Sequence, residues 1–171
     1  MSETIHLREP ADCTEEELRG FARLVLQGFP GAQGLDRRIR DARRLAFTCS
    51  APGRLAAVAA LKVPSEAHRN GIFRQAAAPV SPAGYELDLG WVFVLPAHRG
   101  RRIAARLCRR LLASAPSARV FATTRTDNRV MRHILRSLGF RRTGRPYPRR
   151  DEELLLLLRP PHALMKASNR E

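Results

Sequence analysis

Lysine is almost missing from this sequence. Of 31 basic residues only Lys62 and Lys166 are lysines, and the arginines run along the whole chain. Cysteine is scarce as well: Cys13, Cys49 and Cys108 are odd in number, widely spaced and form no C-x-x-C pair. That argues against a disulfide framework and against a zinc site, so no metal is expected, and it leaves Cys49 and Cys108 as small core residues. No apolar run approaches the roughly eighteen residues of a membrane span, and the longest pure run, Leu154 to Leu158, suits a strand. The opening "MSETIHLREP" lacks the charge, apolar stretch and cleavage site of a secretory signal. The expectation is a soluble, cytoplasmic protein without a membrane partner. Neither G-x-x-x-x-G-K-[ST] nor G-x-G-x-x-G occurs, which argues against a nucleotide-hydrolysing P-loop and a dinucleotide fold. No Ser-His-Asp or Cys-His arrangement has a recognisable local context.

What is present is enough apolar material, 44% of 171 residues, to bury a real core. The expectation is one domain over residues 1–159, then a loose tail over 160–171. The formal charge of +15 resembles a nucleic-acid signal. Replacement of lysine by arginine, with many alanines, also follows from a GC-rich coding sequence. Anionic small ligands need less charge than nucleic acid and fit equally well.

Periodicity predicts a weak strand at residues 4–9. A capping box at Thr14 and Glu17 then opens a helix with Leu18, Phe21, Ala22, Val25 and Phe29 at helical spacing. "FPGAQG" breaks it, and a second helix places Leu35, Ile39, Ala42 and Leu45 on one face and five arginines largely around the other. "AFTCS" and "RLAAVAALKV" read as strands joined at Pro52 and Gly53. A short helix is expected around Ser65 to Ala77, then the clearest strand of the chain, "YELDLGWVFVL". A helix from Gly100 to Ala113 follows, with Ile103, Ala104, Leu107, Leu111 and Leu112 inward. "ARVFATT" is a short buried strand, and Asn128 to Leu138 a helix closed by Gly139. "FRRTG" and "EELLLLLR" supply two last strands, with "RPYPRR" between them read as mobile. The order β-α-α-β-β-α-β-α-β-α-β-β predicts a mixed α/β fold, not a doubly wound sheet.

The chemistry concentrates in "LGWVFVLPAHRGRRIAARL", Leu89 to Leu107. A strand that turns through glycine into a helix presents unpaired backbone N–H groups and the positive end of the helix dipole to an anion. Arg99, Arg101 and Arg102 add guanidinium groups that bridge phosphate oxygens. A diphosphate suits this arrangement, and solvated loop arginines are the plainer alternative.

"VFVLPAHRGRRIAARL" resembles the acetyl-CoA segment of the GCN5-related N-acetyltransferase (GNAT) superfamily, whose motif [Q/R]-x-x-G-x-[G/A] follows a V-x-P strand end. "DNRVMRHILRSLGF" resembles the same family's N-x-x-A-x-x-L-Y-x-K-x-G-F helix, matching at Asn128, Gly139 and Phe140. The resemblance spans about residues 4–159. It implies a mixed, mostly antiparallel sheet of about six or seven strands, with one splayed parallel pair and helices around it. It also implies acetyl-CoA as acyl donor, its pantetheine pairing with backbone near Phe93, Val94 and Leu95. The pyrophosphate would sit over the N–H groups of Arg99, Gly100, Arg101, Arg102, Ile103 and Ala104. Asn128 would contact the cofactor or structure the turn.

Two positions depart from the pattern. The motif's central glycine is Arg102, where a missing Cβ would let phosphate approach the backbone. An arginine at a helix start takes ordinary φ and still donates its N–H, so the expectation is weaker or altered cofactor binding. The tyrosine that many relatives use as general acid falls at Leu135, which cannot donate a proton, and coenzyme A thiolate can take one from water. Glu86 and Asp88, two residues apart, are the candidates for a base acting on the acceptor amine. If Leu87, Leu89 and Trp91 face the core, both acids face the cleft or solvent.

The first two helices of such proteins often wall the acceptor site, and here they carry "LDRRIRDARR". An acidic acceptor or an RNA-linked amine follows if those arginines border the cleft. The leading expectation is an N-acetyltransferase acting on a primary amine of a small molecule or peptide, and a homodimer is compatible with it. A non-catalytic acyl-CoA-binding regulator and a nucleic-acid- or aminoacyl-tRNA-directed protein stay open.

Overall fold

The computed structural model describes residues 3–161. The elements follow the sequence order predicted above: β1 (Ile5–Arg8), α1 (Glu15–Gly28), α2 (Leu35–Arg40), β2 (Arg44–Ala51), β3 (Arg54–Lys62), α3 (Glu66–Gln75) and β4 (Leu87–Val94), then α4 (Ile103–Ala113), β5 (Val120–Arg125), α5 (Arg129–Ser137), β6 (Arg141–Arg149) and β7 (Glu152–Arg159). The strands form a seven-stranded, mostly antiparallel sheet in the order β1-β2-β3-β4-β5-β7-β6. Its parallel pair is β4 with β5, joined at Leu87↔Val120 and Asp88↔Phe121. Contacts divide the chain into two compact units, one taking in residues up to Val63 with Leu89–Ser114, the other Pro64–Asp88 and the residues from Ala115 on.

In the first unit the Thr14 capping box forms in full. The Thr14 hydroxyl accepts from the Glu17 N–H at 3.1 Å, and the Glu17 carboxylate accepts from the Thr14 N–H at 2.8 Å. Such a cap contributes about 1 kcal/mol to its helix. The apolar stripe of α1 (Leu18, Phe21, Leu24, Val25) joins Leu35 and Ile39 of α2 on Leu45, Phe47, Val58, Ala60 and Trp91. Alternation along β3 sends Ala57, Ala59 and Leu61 to the opposite face, where α4 lies. Both faces of β3 are therefore buried, and its four alanines let helices approach closely. α2 is shorter than its periodicity predicts: it stops at Arg40, and Leu45 belongs to β2, paired with Ala60. The ladder to β3 overrides the helical spacing.

The second unit centres on Ile72 and Phe73 of α3 and its C-cap Ala76, with Phe121, Tyr147, Leu154, Leu156 and Leu158. The leucine run forms β7, buried from Leu154 through Arg159. "RPYPRR" is not mobile: it is the second half of β6, which pairs with β7 from Tyr147↔Leu154 to Arg149↔Glu152 after a register shift. The shift holds Gly144 at φ +69°, and the next N–H, that of Arg145, donates to the Ala76 carbonyl at 2.7 Å. The expected tail extends past Pro161 outside the described residues. Among the described residues no helix is long and apolar enough to cross a membrane.

Candidate functional site

β4 runs into a single 3-10 turn at Pro96–His98 and a loop that ends where α4 begins, at Ile103. β3 anchors the end of the strand, the Leu95 N–H donating to the Ala56 carbonyl at 2.9 Å. Gly100 has φ +80°, and Arg102, the N-cap of α4, has φ +57° and ψ +22°. The sequence reading that started the helix at Gly100 and gave Arg102 ordinary φ is corrected on both points. Two left-handed residues tighten the loop, and the helix starts only after the second. Glycine suits the Arg102 position because left-handed backbone costs an L side chain about 1–2 kcal/mol. No side chain caps α4. The Arg106 N–H donates to the carbonyl of the N-cap Arg102, so the N–H groups of the first turn are available to an acceptor.

The arginines of the turn have different tasks. Arg99 folds back on the strand: its Nε donates to the Val94 carbonyl at 3.0 Å, and its guanidinium lies 5.8 Å from the Phe93 ring centroid. Arg101 meets the Glu3 carboxylate at 3.2 Å, His98 Nδ1 lies 2.8 Å from the same oxygen, and Arg106 donates to the Glu3 carbonyl at 2.9 Å. A side chain of the N-terminal segment thus supplies this cationic turn with an internal anion. Arg101, Arg102, Ile103, Ala105, Arg106, Arg109 and Glu3 line a cavity of about 490 Å³.

Phe93, Val94, Leu95 and the turn Arg99–Ala104 are thereby brought together in the first unit. Glu86, Asp88 and Asn128 belong to the second. Glu86 precedes β4 and is exposed, whereas Asp88 is 3% exposed. The expectation that both acids face the cleft or solvent therefore fails for Asp88. Its place opposite Phe121 puts it in the covered half of the β4–β5 pair. Asn128 caps α5, its Oδ1 accepting from the Met131 N–H at 3.0 Å, so it does structure the turn after β5. Leu135 is fully buried.

Sequence reasoning missed three features. Trp91 sits inside β4 at φ +52°, an outlier for a bulky residue, and breaks the strand's alternation. The one local hint was the glycine before it. Tyr147 is 3% exposed, and burial pushes its phenol up to about 12, with Asp88 adding to the rise and a hydrogen bond with Thr123 opposing it. Glu3 gave no signal, because its partners lie 95 and more positions away. Among the described residues no group of three or more His, Cys, Asp or Glu could hold a metal ion.

The family model described as acetyltransferase (GNAT) family matches residues 11–140. The N-alpha-acetyltransferase RimI of Mycobacterium tuberculosis is 40% identical over 60 residues, 35% of this chain and 38% of that protein. The aligned segments span 22% and 38% of the two curated relatives matched, well under half of either. Among solved structures, Escherichia coli ElaA superposes with a TM-score of 0.69 at 15% identity, over 92% of this chain and 99% of that one. Salmonella typhimurium yncA, whose structure holds its cofactor acetyl-CoA, superposes with a TM-score of 0.60 at 21% identity, over 92% of this chain and 93% of that one. These two likenesses concern the fold.

Proposed function

The chain belongs to the acetyltransferase (GNAT) family, and on that premise we propose that it transfers an acetyl group from acetyl-CoA to a primary amine of a small molecule or peptide. The observation that carries the reading is the turn before α4. Two left-handed residues lead into an uncapped helix N-terminus beside an arginine-lined cavity that already holds a carboxylate, that of Glu3. That donor set fits a diphosphate.

In this reading the Arg101 guanidinium and the N–H groups of Arg102, Ile103 and Ala104 hold the pyrophosphate, and the backbone of Phe93, Val94 and Leu95 takes the pantetheine. Arg99 must release the Val94 carbonyl for that pairing to include it. Asn128, besides capping α5, would contact the cofactor. When bound, acetyl-CoA would supply an acyl carbon for the amine nitrogen to bond as the carbon–sulfur bond breaks, the amine's proton going in net to the departing thiolate to give the free thiol. Glu86, which is exposed ahead of β4, would accept that proton through water. Asp88, buried near Tyr147, is the alternative base, and its burial limits it to a path through that cluster. Leu135 supplies no proton. The protein would act in the cytoplasm.

Thermal-shift titration with acetyl-CoA tests binding: at about 100-fold excess over Kd, linkage predicts about 2.7 kcal/mol of stabilisation. Release of free CoA thiol with a panel of amines tests catalysis. A shift without thiol release would support the acyl-CoA-binding regulator instead. No shift, with salt-sensitive RNA affinity, would support the nucleic-acid-directed reading.

A further inference from the structure

The sheet ends in two edge strands of different character. β6 carries Pro146 and Pro148, which have no N–H to offer a further strand. β1, at the other edge, contains no proline and pairs with β2 without a register shift. Among the described residues, no backbone group of residues 4–8 meets another backbone group outside that pairing. An antiparallel ladder engages alternate residues, so the others leave their N–H and C=O groups pointing off the sheet. Register sets what lies over this edge. Ile5 and Leu7 stand opposite Thr48 and Ala46, which stand opposite Ala57 and Ala59, on the face where α4 lies. α4 packs mainly on β3 and β2, with least contact to β1, so Ile5 and Leu7 stay only half-buried. Beside them Arg106, Arg109 and Arg110 of α4 line a cavity of about 440 Å³ with Glu3, Thr4 and Ile5. Arg106 is engaged by the Glu3 carbonyl at 2.9 Å, and the Glu3 carboxylate is turned to His98 and Arg101. Arg109 and Arg110 are exposed, and their guanidinium groups form no ion pair or hydrogen bond among the described residues.

From this juxtaposition we infer that β1 is a docking edge for an acidic, extended peptide segment of a partner protein, and that Arg109 and Arg110 read its acidic side chains. A strand added beside β1 would lie about 4.8 Å farther out and take up the free N–H and C=O groups. Its residues opposite Ile5 and Leu7 would turn to the α4 face about 7 Å apart, toward the arginine-lined cavity. Acidic residues at every second position then meet guanidinium groups, while the residues between them face the other side. Two cations without an anion of their own call for a carboxylate each. A second copy of this chain fits poorly, because pairing β1 with β1 would bring another set of α4 arginines to the same face. Nucleic acid offers negative charge but no backbone to complete the ladder, and the residues lining the cavity include no aromatic ring for a base to stack on. The inference stands without the acetyl-transfer reading, since it uses neither β4 nor the turn before α4.

The test follows the fluorescence anisotropy of short labelled peptides titrated with the full chain. The parent peptide alternates glutamate with valine or threonine, and its control carries glutamine at every glutamate position. The acidic peptide should bind about tenfold more tightly than the control, the scale of two or three exposed ion pairs, and the preference should shrink in high salt. Two further acidic peptides carry N-methyl groups on alternate amides, each blocking one edge of the strand. One of them should lose binding and the other keep it, a difference that charge attraction alone does not produce. Arg110→Gln should remove most of the acidic preference while the glutamine peptide and acetyl-CoA bind as before. Equal affinity for the acidic and glutamine peptides, no binding of the acidic peptide at millimolar concentration, or equal binding of the two N-methylated peptides overturns the inference, and none of these readouts depends on a variant folding. Tighter binding of a single-stranded RNA of the same charge would assign the arginines to nucleic acid instead. An equal loss of acetyl-CoA affinity in Arg110→Gln would assign them to the cofactor and likewise overturn the docking edge.

Discussion

Arg102 concentrates the tension between local chemistry and backbone at this site. Its guanidinium adds charge where a diphosphate is proposed to bind, yet its backbone is held left-handed at the N-cap of α4. Replacing it with glycine relieves a cost of about 1–2 kcal/mol, partly offset by the extra freedom of glycine in the unfolded chain. Arg102→Gly should therefore raise the unfolding free energy by about 0.5–1 kcal/mol, measured from urea midpoints, while Arg102→Ala should not. The affinity for acetyl-CoA should also rise in the glycine variant, because the missing side chain opens the approach to the N–H groups. A fall in affinity, read by calorimetry, would mean that the guanidinium charge outweighs the steric cost. The steric effect on cofactor binding was legible from the motif, but the left-handed φ was not, because a glycine in a motif does not say whether Cβ or φ is the reason.

At the scale of elements, α3 and β6 show how a loop-like sequence becomes ordered. "RPYPRR" contains two prolines and little apolar surface, so its local pattern reads as a connection. It is a strand because β7 offers a ladder from Leu154 to Glu152 and because Tyr147 fills the core beside α3. The joint is Gly144. A Cβ there would stand well inside contact with the Ala76 carbonyl, and its φ of +69° disfavours any side chain. Gly144→Ala should cost about 3 kcal/mol or more, the scale of effects that combine a steric clash with a forbidden backbone angle. A lower urea midpoint with near-wild-type helix content in the circular dichroism spectrum is the expected result, and an unchanged midpoint would mean that α3 does not hold β6 there. By contrast, the capping box of α1 and the inward stripe of α4 (Ile103, Leu107, Leu111, Leu112) were legible, because each is written within a few turns of helix.

Over the whole molecule, thiols and a phenol shielded from water tie stability to alkaline pH. Burial pushes the Cys108 thiol up from an ordinary 9.0 to about 12, the Cys13 thiol from 9.0 to about 11 and the Tyr147 phenol from 10.0 to about 12. Between these values the unfolded chain has released protons that the folded chain still holds, so stability falls as pH rises. The contribution is intact below about pH 9 and is lost on approach to about pH 12. Urea midpoints should accordingly drop between about pH 9 and pH 10.5, and the drop should be shallower in Cys108→Ala. An equal slope in that variant would assign the alkaline loss elsewhere, the formal charge of +15 falling as arginine-rich surfaces meet hydroxide being no substitute, since arginine keeps its proton in this range.

The sequence by itself determined the order of elements, the capped start of α1, the buried stripes of α1 and α4, the arginine-bearing turn and its likeness to an acetyl-CoA segment. These depend on neighbours within one or two turns of helix or a few strand residues, where side-chain spacing and capping act directly. Tertiary structure alone decided that Arg102 is left-handed, that Asp88 is buried while Glu86 is not, that Glu3 enters the cationic turn, and that arginines of α4 line a cavity with Ile5 of β1. Each joins residues distant in sequence or fixes a backbone angle through surrounding packing. Local propensity carries no record of such partners, because the free energy that selects them exists only once the strands have paired.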